Sequence, residues 1–345
     1  MEKTDGLLLF SGDFDKELFN RLLNDDSITK FDFFEDQKKE LRKTKLYSLS
    51  PREQDEYLNK AEPTWVYYPW DRTLIKIVSE KDFIAIRTSR NLYKITAEEQ
   101  ALLSSKKVGV VGLSVGRTVS LTMALERTFE ELRIADFDTI ELSNLNRLKT
   151  PLKDYNLAKT VSTKREILGI DPFLSVKMFS KGLQNNNIDE FFTGGGKLDL
   201  VIDECDSLEI KILIRKKAKE LGIPVLMDTS DRGMIDIERY DLDNEIQYFN
   251  GLIGDFDPPY NFELGPEEKA ALLGQVIDFE NLSDRAKLSI QEIGGSISTW
   301  PQLASSVVMG GGVTANVVRR IFLNETIKSG RYYIDLSNLI PNAER

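Results

Sequence analysis

The chain has 345 residues, 41% of them apolar, and a formal net charge of −10. That length supports a sizeable core in one large or two unequal domains, and the acidic balance excludes nucleic acid or an anionic membrane as the main partner, since either would demand a basic face. There is no histidine and only one cysteine, Cys205. Ser-His and Cys-His nucleophile pairs, histidine metal sites, intrachain disulfides and four-thiolate zinc sites are therefore excluded. Whatever chemistry the chain performs must run on Asp, Glu, Lys, Arg, Ser, Asn and a bound ion. The apolar run from Leu7 to Phe10 follows Glu2, Lys3 and Asp5 rather than a basic stretch, so no signal peptide or membrane span is read there and a cytoplasmic location is expected.

Residues 1–85 alternate short apolar stretches with charge-dense ones at 36–45 and 51–57, a texture that predicts amphipathic helices with a solvated face. Around 65–70 and 74–78 the pattern turns aromatic and β-like. The expectation is a small N-terminal α+β accessory unit over 1–85, with its aromatics packed in a core rather than gripping a peptide. From Lys106 strands and helices alternate. A strand over 108–111 is followed by a helix, a second strand ending in Asp136, a helix over 154–168 and a short strand over 175–179. A buried strand over 198–203 leads into a helix over 208–221 stopped by Gly222, and Pro224 opens the next strand. Residues 235–240 alternate as an antiparallel or edge strand would. Residues 241–298, rich in Gly, Pro and acids, read as a long excursion with short helices that shapes a substrate pocket. Gly310, Gly311 and Gly312 then introduce a helix to about Asn324, and 332–335 form a closing strand. Over 86–345 this order predicts an α/β fold, a doubly wound, mainly parallel Rossmann-like sheet with ligands at the carboxyl ends of its strands.

The loop from Gly112 through Ser114 to Gly116 is the first motif that points to chemistry. Against the dinucleotide fingerprint G-x-G-x-x-G, Ser114 takes the middle glycine position and Arg117 stands where the third would be. A serine still permits a tight turn and adds a hydroxyl, and the following helix N-terminus can face phosphate through free amides. Asp136 lies 24 residues beyond Gly112 (136 − 112), about where an acid meets ribose hydroxyls. ATP and NAD both satisfy that much, and a structural turn without ligand is the bland alternative.

Further along, Ser143, Asn144, Asn146 and Arg147, then Lys159, then Asp203 to Asp206 form an ordered set. It resembles the ThiF/MoeB family of adenylating enzymes, relatives of the ubiquitin-activating enzymes. That family's pattern is a D-F-D…S-N-L-x-R run, a lysine about a dozen residues on, and a D-C-T-D-N strand end. Upstream, Arg87 and Arg90 match its R-Y-x-R-Q element, so the likeness spans about residues 85–230. The resemblance implies that ATP is bound by the loop of Gly112, Ser114 and Gly116, with ribose at Asp136 beside Asp138 and phosphates at Asn144, Arg147 and Lys159. It further implies Mg²⁺ at Asp206 and a homodimer in which Arg90 reaches into the partner's site. The catalytic set is then Arg90, Arg147, Lys159 and Asp206. A substrate carboxylate attacking the α-phosphorus needs cations that offset phosphate charge rather than an acid or base, which a chain without histidine can provide. Surface ion pairing of Arg147 and Lys159, or helix capping by Asp203 or Asp206, are the structural alternatives.

Departures from the family pattern matter as well. The glycine loop is one residue shorter than G-x-G-G-x-G, paired C-x-x-C zinc motifs are missing, and no cysteine follows Asp241 to carry a thioester. Cys205 reads as a buried structural thiol. The wording of 65–70, 94–100 and 108–116 is similar to an atypical bacterial branch of the family, some of whose members resemble fusions with a nitroreductase-like domain. The expected function is an ATP- and Mg²⁺-dependent adenylyltransferase that activates a carboxylate as an acyl adenylate, a peptide or carrier-protein C-terminus among the candidates, without a thioester step. An NAD-dependent oxidoreductase and a non-catalytic nucleotide- or peptide-binding scaffold are the alternatives.

Overall fold

The computed structural model describes residues 6–341, so Glu2, Lys3 and Asp5 lie outside the described residues. The chain divides into two compact units, Met1–Glu98 with Leu168–Phe173, and Glu99–Ile167 with Leu174–Arg345. The first holds strands β1 (Leu8–Phe10), β2 (Thr29–Asp32), β3 (Pro63–Tyr68) and β4 (Thr73–Val78). Its helices are α1 (Lys16–Asn24), α2 (Phe34–Thr44), α3 (Pro51–Asn59) and α4 (Glu80–Arg87). Its sheet runs β1-β3-β4-β2, antiparallel except for the parallel pairing of β2 with β4. The charge-dense stretches do form helices. Ser50 and Glu53 cap α3 reciprocally, the Ser50 amide donating to Glu53 Oε2 at 2.9 Å. Leu41, Leu46 and Leu58 pack as a small core, while Lys45 and Tyr57 donate to the buried Asp82 at 2.9 and 2.7 Å.

The second unit is the α/β body. After α5 (Ala97–Leu103) its strands are β5 (Lys107–Val111), β6 (Glu131–Ala135), β7 (Ser175–Phe179), β8 (Leu200–Asp203), β9 (Val225–Thr229), β10 (Met234–Glu238) and β11 (Gly330–Tyr333). Helices α6 (Gly116–Glu126), α7 (Lys159–Ile170), α8 (Ile188–Thr193) and α9 (Leu208–Leu221) connect the parallel strands. Later come α10 (Pro266–Val276), α11 (Asp284–Glu292), α12 (Ala304–Phe322) and α13 (Leu336–Leu339). The sheet order is β11-β10-β9-β8-β5-β6-β7, parallel from β9 to β7. Val108, Val110, Leu132, Ile134, Val201 and Ile202 are fully buried, as continuous apolar runs in strands covered on both faces should be. Because β6 and β7 lie to one side of β5 and β8 and β9 to the other, the winding reverses between β5 and β8. That switch point opens a crevice at their carboxyl ends. No helix among the described residues is long and apolar enough to cross a membrane.

Three expectations require correction. The helix expected from residue 154 begins at Lys159, because 152–154 form a 3₁₀ turn and Asn156 adopts a left-handed backbone with φ of 65°. Strand β10 is antiparallel to both of its neighbours, as one of the two readings of its alternation had it, but it is not an edge strand. It is paired on both sides, by β9 and β11, and every residue in it is buried. Its alternating acids face arginines instead of water, with Arg331 Nε donating to Asp236 at 2.9 Å and Arg215 Nε 2.8 Å from Glu238. The glycine triplet does not introduce a helix but lies inside α12. A Cβ on Gly310 would sit 1.8 Å from Asp228 Oδ2 and one on Gly311 2.7 Å from Thr118, so these glycines let α12 approach β9 and α6 closely. Gly312 meets nothing within 4 Å. Gly312→Ala should therefore raise stability by about 0.5–1 kcal/mol through backbone entropy, whereas Gly310→Ala should lower it by about 1–3 kcal/mol through overpacking. Urea unfolding midpoints of the two variants would reveal an error if both moved in the same direction.

Candidate active site

Strand β5 is followed by Gly112, whose φ of +88° and position against the residue after β8 both require glycine, since a Cβ there would lie 2.3 Å from the Glu204 carbonyl oxygen. The Gly112 amide donates to the Ala135 carbonyl at 2.8 Å, and the next amide, of Leu113, donates to Asp136 Oδ2 at 2.7 Å. Asp136 Oδ1 accepts the Asp138 amide at 2.8 Å. One carboxylate at the end of β6 thus holds both the glycine loop and the chain that leaves β6. Asp136 is buried, and burial pushes its carboxyl above the ordinary range against the pull of Lys159. Gly116 begins α6, and no side chain caps that helix, the arrangement in which first-turn amides are left for an anion.

Beyond Asp138, residues Leu142–Asn146 form a 3₁₀ turn. Asn144 Oδ1 accepts the Glu141 amide at 3.1 Å, the side-chain half of a reciprocal cap. That turn aims Arg147 back at the glycine loop, where its Nε and Nη2 donate to Ser114 Oγ at 3.2 and 3.0 Å. Burial pulls the Arg147 guanidinium below its usual value, with Asp206 acting in the opposite sense from across the crevice. Lys159 opens α7. It is only 6% exposed, its amide donates to the Asp138 carbonyl at 2.9 Å, and its Nζ donates to Asp138 Oδ2 at 2.7 Å. A cleft of about 300 Å³ is lined here by Phe137, Asp138, Thr139, Glu141, Asn144 and Lys159.

The fold thus gathers Gly112, Ser114, Gly116, Asp136, Asp138, Asn144, Arg147 and Lys159 at the ends of β5 and β6, with the exposed Asp206 just past β8. Arg90 belongs to the first unit, where it is exposed and lines a groove with Lys43, Tyr47 and Tyr93. The capping alternative does not hold, because Ser207 caps α9, accepting the Ile210 amide at 3.3 Å. Asp203 is instead fully buried between Lys211 at 3.2 Å and Arg215 at 2.6 Å. Cys205 donates its thiol to Asp203 Oδ1 at 3.1 Å, and burial followed by that carboxylate pushes the thiol well above its usual value. Such a thiol is a poor nucleophile.

Two features escaped the sequence reading. Glu204, beside the glycine loop, faces Asp228 at the end of β9, whose amide donates to Glu204 Oε1 at 3.2 Å while neither Asp228 carboxyl oxygen meets a donor among the described residues. Two neighbouring carboxyls in a site of low solvation disfavour a second negative charge, so one of them holds its proton more tightly. Burial, then the charge of Asp228, raises Glu204 well above the ordinary value, and burial raises Asp228 to about 6. The only trace in the sequence is an acid at the end of each of two strands. The second feature is Arg117, visible only as a departure from the glycine fingerprint, which is 2% exposed and bonded into α7.

Residues 87–234 match the ThiF family, so the chain carries a ThiF-family domain. The whole chain is similar to uncharacterized protein MT1398 of Mycobacterium tuberculosis, 41% identical over 340 residues that make up 98% of this chain and 46% of that protein. A probable molybdopterin-synthase adenylyltransferase of Porphyra purpurea is 28% identical over 132 residues, 38% of this chain and 34% of the relative. The chain thus spans less than half the length of either. Among solved structures, Escherichia coli tRNA N6-threonylcarbamoyladenosine dehydratase, TcdA, superposes with a TM-score of 0.49 at 16% identity, over 69% of this chain and 94% of that one.

The Asp228 pair has a pH signature. A carboxyl whose folded value is raised from 3.8 to about 6 binds its proton more tightly in the folded chain, so its contribution is full below 3.8 and is lost as pH rises through about 6. Asp228→Asn keeps the shape and removes the titration. The difference in melting temperature, variant minus wild type, should therefore rise between pH 4.5 and pH 7, about the ends of that window. A flat difference would refute the upward displacement of the Asp228 carboxyl.

Proposed function

We propose that the chain is an ATP-dependent adenylyltransferase that converts a carboxylate into an acyl adenylate with release of pyrophosphate, working as a homodimer. One observation carries the reading. Within a ThiF-family domain, Arg147 and Lys159 are held against the glycine loop and Asp138, at the switch-point crevice. The glycine-loop amides and the α6 N-terminus suit the phosphates, and Asp136 and Asp138 suit the ribose hydroxyls. Lys159 is half of a pair whose other side chain, Asp138, is 50% exposed, so an incoming phosphate can compete for the ammonium.

The chemistry balances without a proton. A carboxylate oxygen forms a bond to the α-phosphorus, the bond from that phosphorus to the bridging oxygen breaks, and pyrophosphate leaves with the electron pair. Arg147, Asn144 and Lys159 orient the triphosphate and offset the charge that accumulates on it, a contribution largest where water is excluded. Mg²⁺ fits the donors present. Asp206 is an exposed carboxylate at the crevice, and no group of three or more candidate ligands occurs among the described residues. An ion held jointly by one carboxylate and phosphate oxygens is the mode Mg²⁺ prefers, and it would supply further charge neutralisation. The same reading takes Arg90 as a residue lent by one protomer to its partner. The substrate is a carboxylate of the peptide or carrier-protein C-terminus class, and its acceptor attacks the adenylate directly, because the Cys205 thiol is bonded to Asp203.

Carboxylate-dependent ATP–pyrophosphate exchange tests this. Arg147→Ala, Lys159→Ala and Asp206→Ala should each lower exchange by about 100-fold or more. Cys205→Ala should leave it unchanged. Undiminished exchange in Arg147→Ala and Lys159→Ala, or calorimetry showing that the wild-type chain binds no ATP, would remove the proposal.

A further inference from the structure

Arg117 occupies the second position of α6, where the dinucleotide fingerprint would have a third glycine, yet its guanidinium serves a different helix. Nη1 donates to Ser162 Oγ at 3.2 Å and to Thr163 Oγ1 at 3.0 Å, and Nη2 pairs with Glu166, all on α7. The contacts continue inward. Thr163 Oγ1 donates to the Lys159 carbonyl at 2.7 Å, and Ser162 Oγ donates to Asp154 Oδ2 at 2.9 Å, which also accepts Thr150 Oγ1 at 3.2 Å. An unbroken chain of donors and acceptors therefore runs from the turn after the glycine loop to the backbone of Lys159.

This is an expensive way to join two helices. Arg117 is 2% exposed, and its Nε finds no acceptor among the described residues. Apolar side chains of similar volume would hold α6 to α7 with less desolvation. What a guanidinium fork adds is direction, because its donors lie in one plane and accept little misalignment. Lys159 is already held on one side by Asp138, at the amide and at Nζ. The Arg117 and Thr163 contacts hold the other side.

The geometry points to Arg117 as a positioning residue that, through Thr163, fixes the first turn of α7 and so aims the Lys159 ammonium into the nucleotide crevice. The inference rests on Lys159 being the phosphate ligand of the adenylation reading. Arg117 itself touches no substrate in this scheme.

Two variants test it, Arg117→Met and the near-isosteric Thr163→Val, with folding checked by circular dichroism. The first readout needs no nucleotide. The rate of acetylation of Lys159 by acetic anhydride, resolved by mass spectrometry, should rise several-fold in both variants while the exposed Lys181 stays unchanged. A purely structural role would lower the melting temperature and leave Lys159 as protected as in the wild type, and that result overturns the inference. The second readout is ATP affinity. Arg117→Met should weaken it roughly tenfold and should cause no further loss in a Lys159→Ala background. Additive losses would also overturn the inference. Should the wild-type chain bind no ATP, the adenylation reading fails, and acetylation alone decides whether Arg117 positions Lys159.

Discussion

Two backbone amides converge on one buried carboxylate. Leu113 and Asp138 donate to opposite oxygens of Asp136 at 2.7 and 2.8 Å, so the loop that follows β5 and the run that follows β6 cannot move independently. All else at the crevice is referenced to that pair of bonds. Asp138 is fixed by it and in turn anchors both the amide and the ammonium of Lys159. The glycine loop is fixed by it and presents Ser114 to Arg147. A carboxylate can do this in a buried site only because its lone pairs are taken by N–H groups and a cation stands nearby.

The same logic explains how an acidic chain keeps so many acids inside. Asp203, Asp236 and Glu238 are fully buried, and each meets a cation: Asp203 meets Lys211 and Arg215, Glu238 meets Arg215, and Asp236 meets Arg331. Buried pairs of this kind add little net stability, but they tolerate few alternative arrangements. Strands β8 to β11 are therefore held in one register by charge as well as by backbone bonding. Glu204 and Asp228 are the exception, two like groups beside each other behind the glycine loop, with Gly310 of α12 packed on Asp228.

The departures from the usual nucleotide-loop pattern form a coherent set. A serine at the middle glycine position offers an acceptor that a glycine lacks, and Arg147 uses it. An arginine near the third position is accommodated because its side chain turns away into α7 instead of entering the phosphate space. With neither histidine nor an ionised thiol, the crevice is suited to reactions that need charge compensation and little proton transfer.

Much of this was legible in local pattern. Uninterrupted apolar runs marked the parallel strands, Gly222 marked the end of α9, and the order of Gly112, Asp136, Arg147 and Lys159 along the chain set them at successive strand ends. Strand ends, caps and loops are written in neighbouring residues, and a doubly wound sheet brings successive strand ends together by topology alone. The partners that close the site were not legible. Whether Gly310 starts a helix or makes room for Asp228, whether the acids of β10 face water or arginine, and whether Arg117 points at phosphate or at Thr163 all depend on residues tens of positions away. Those choices are made by packing distance and by the cost of leaving a buried polar group unpaired, quantities that exist only once the chain has folded.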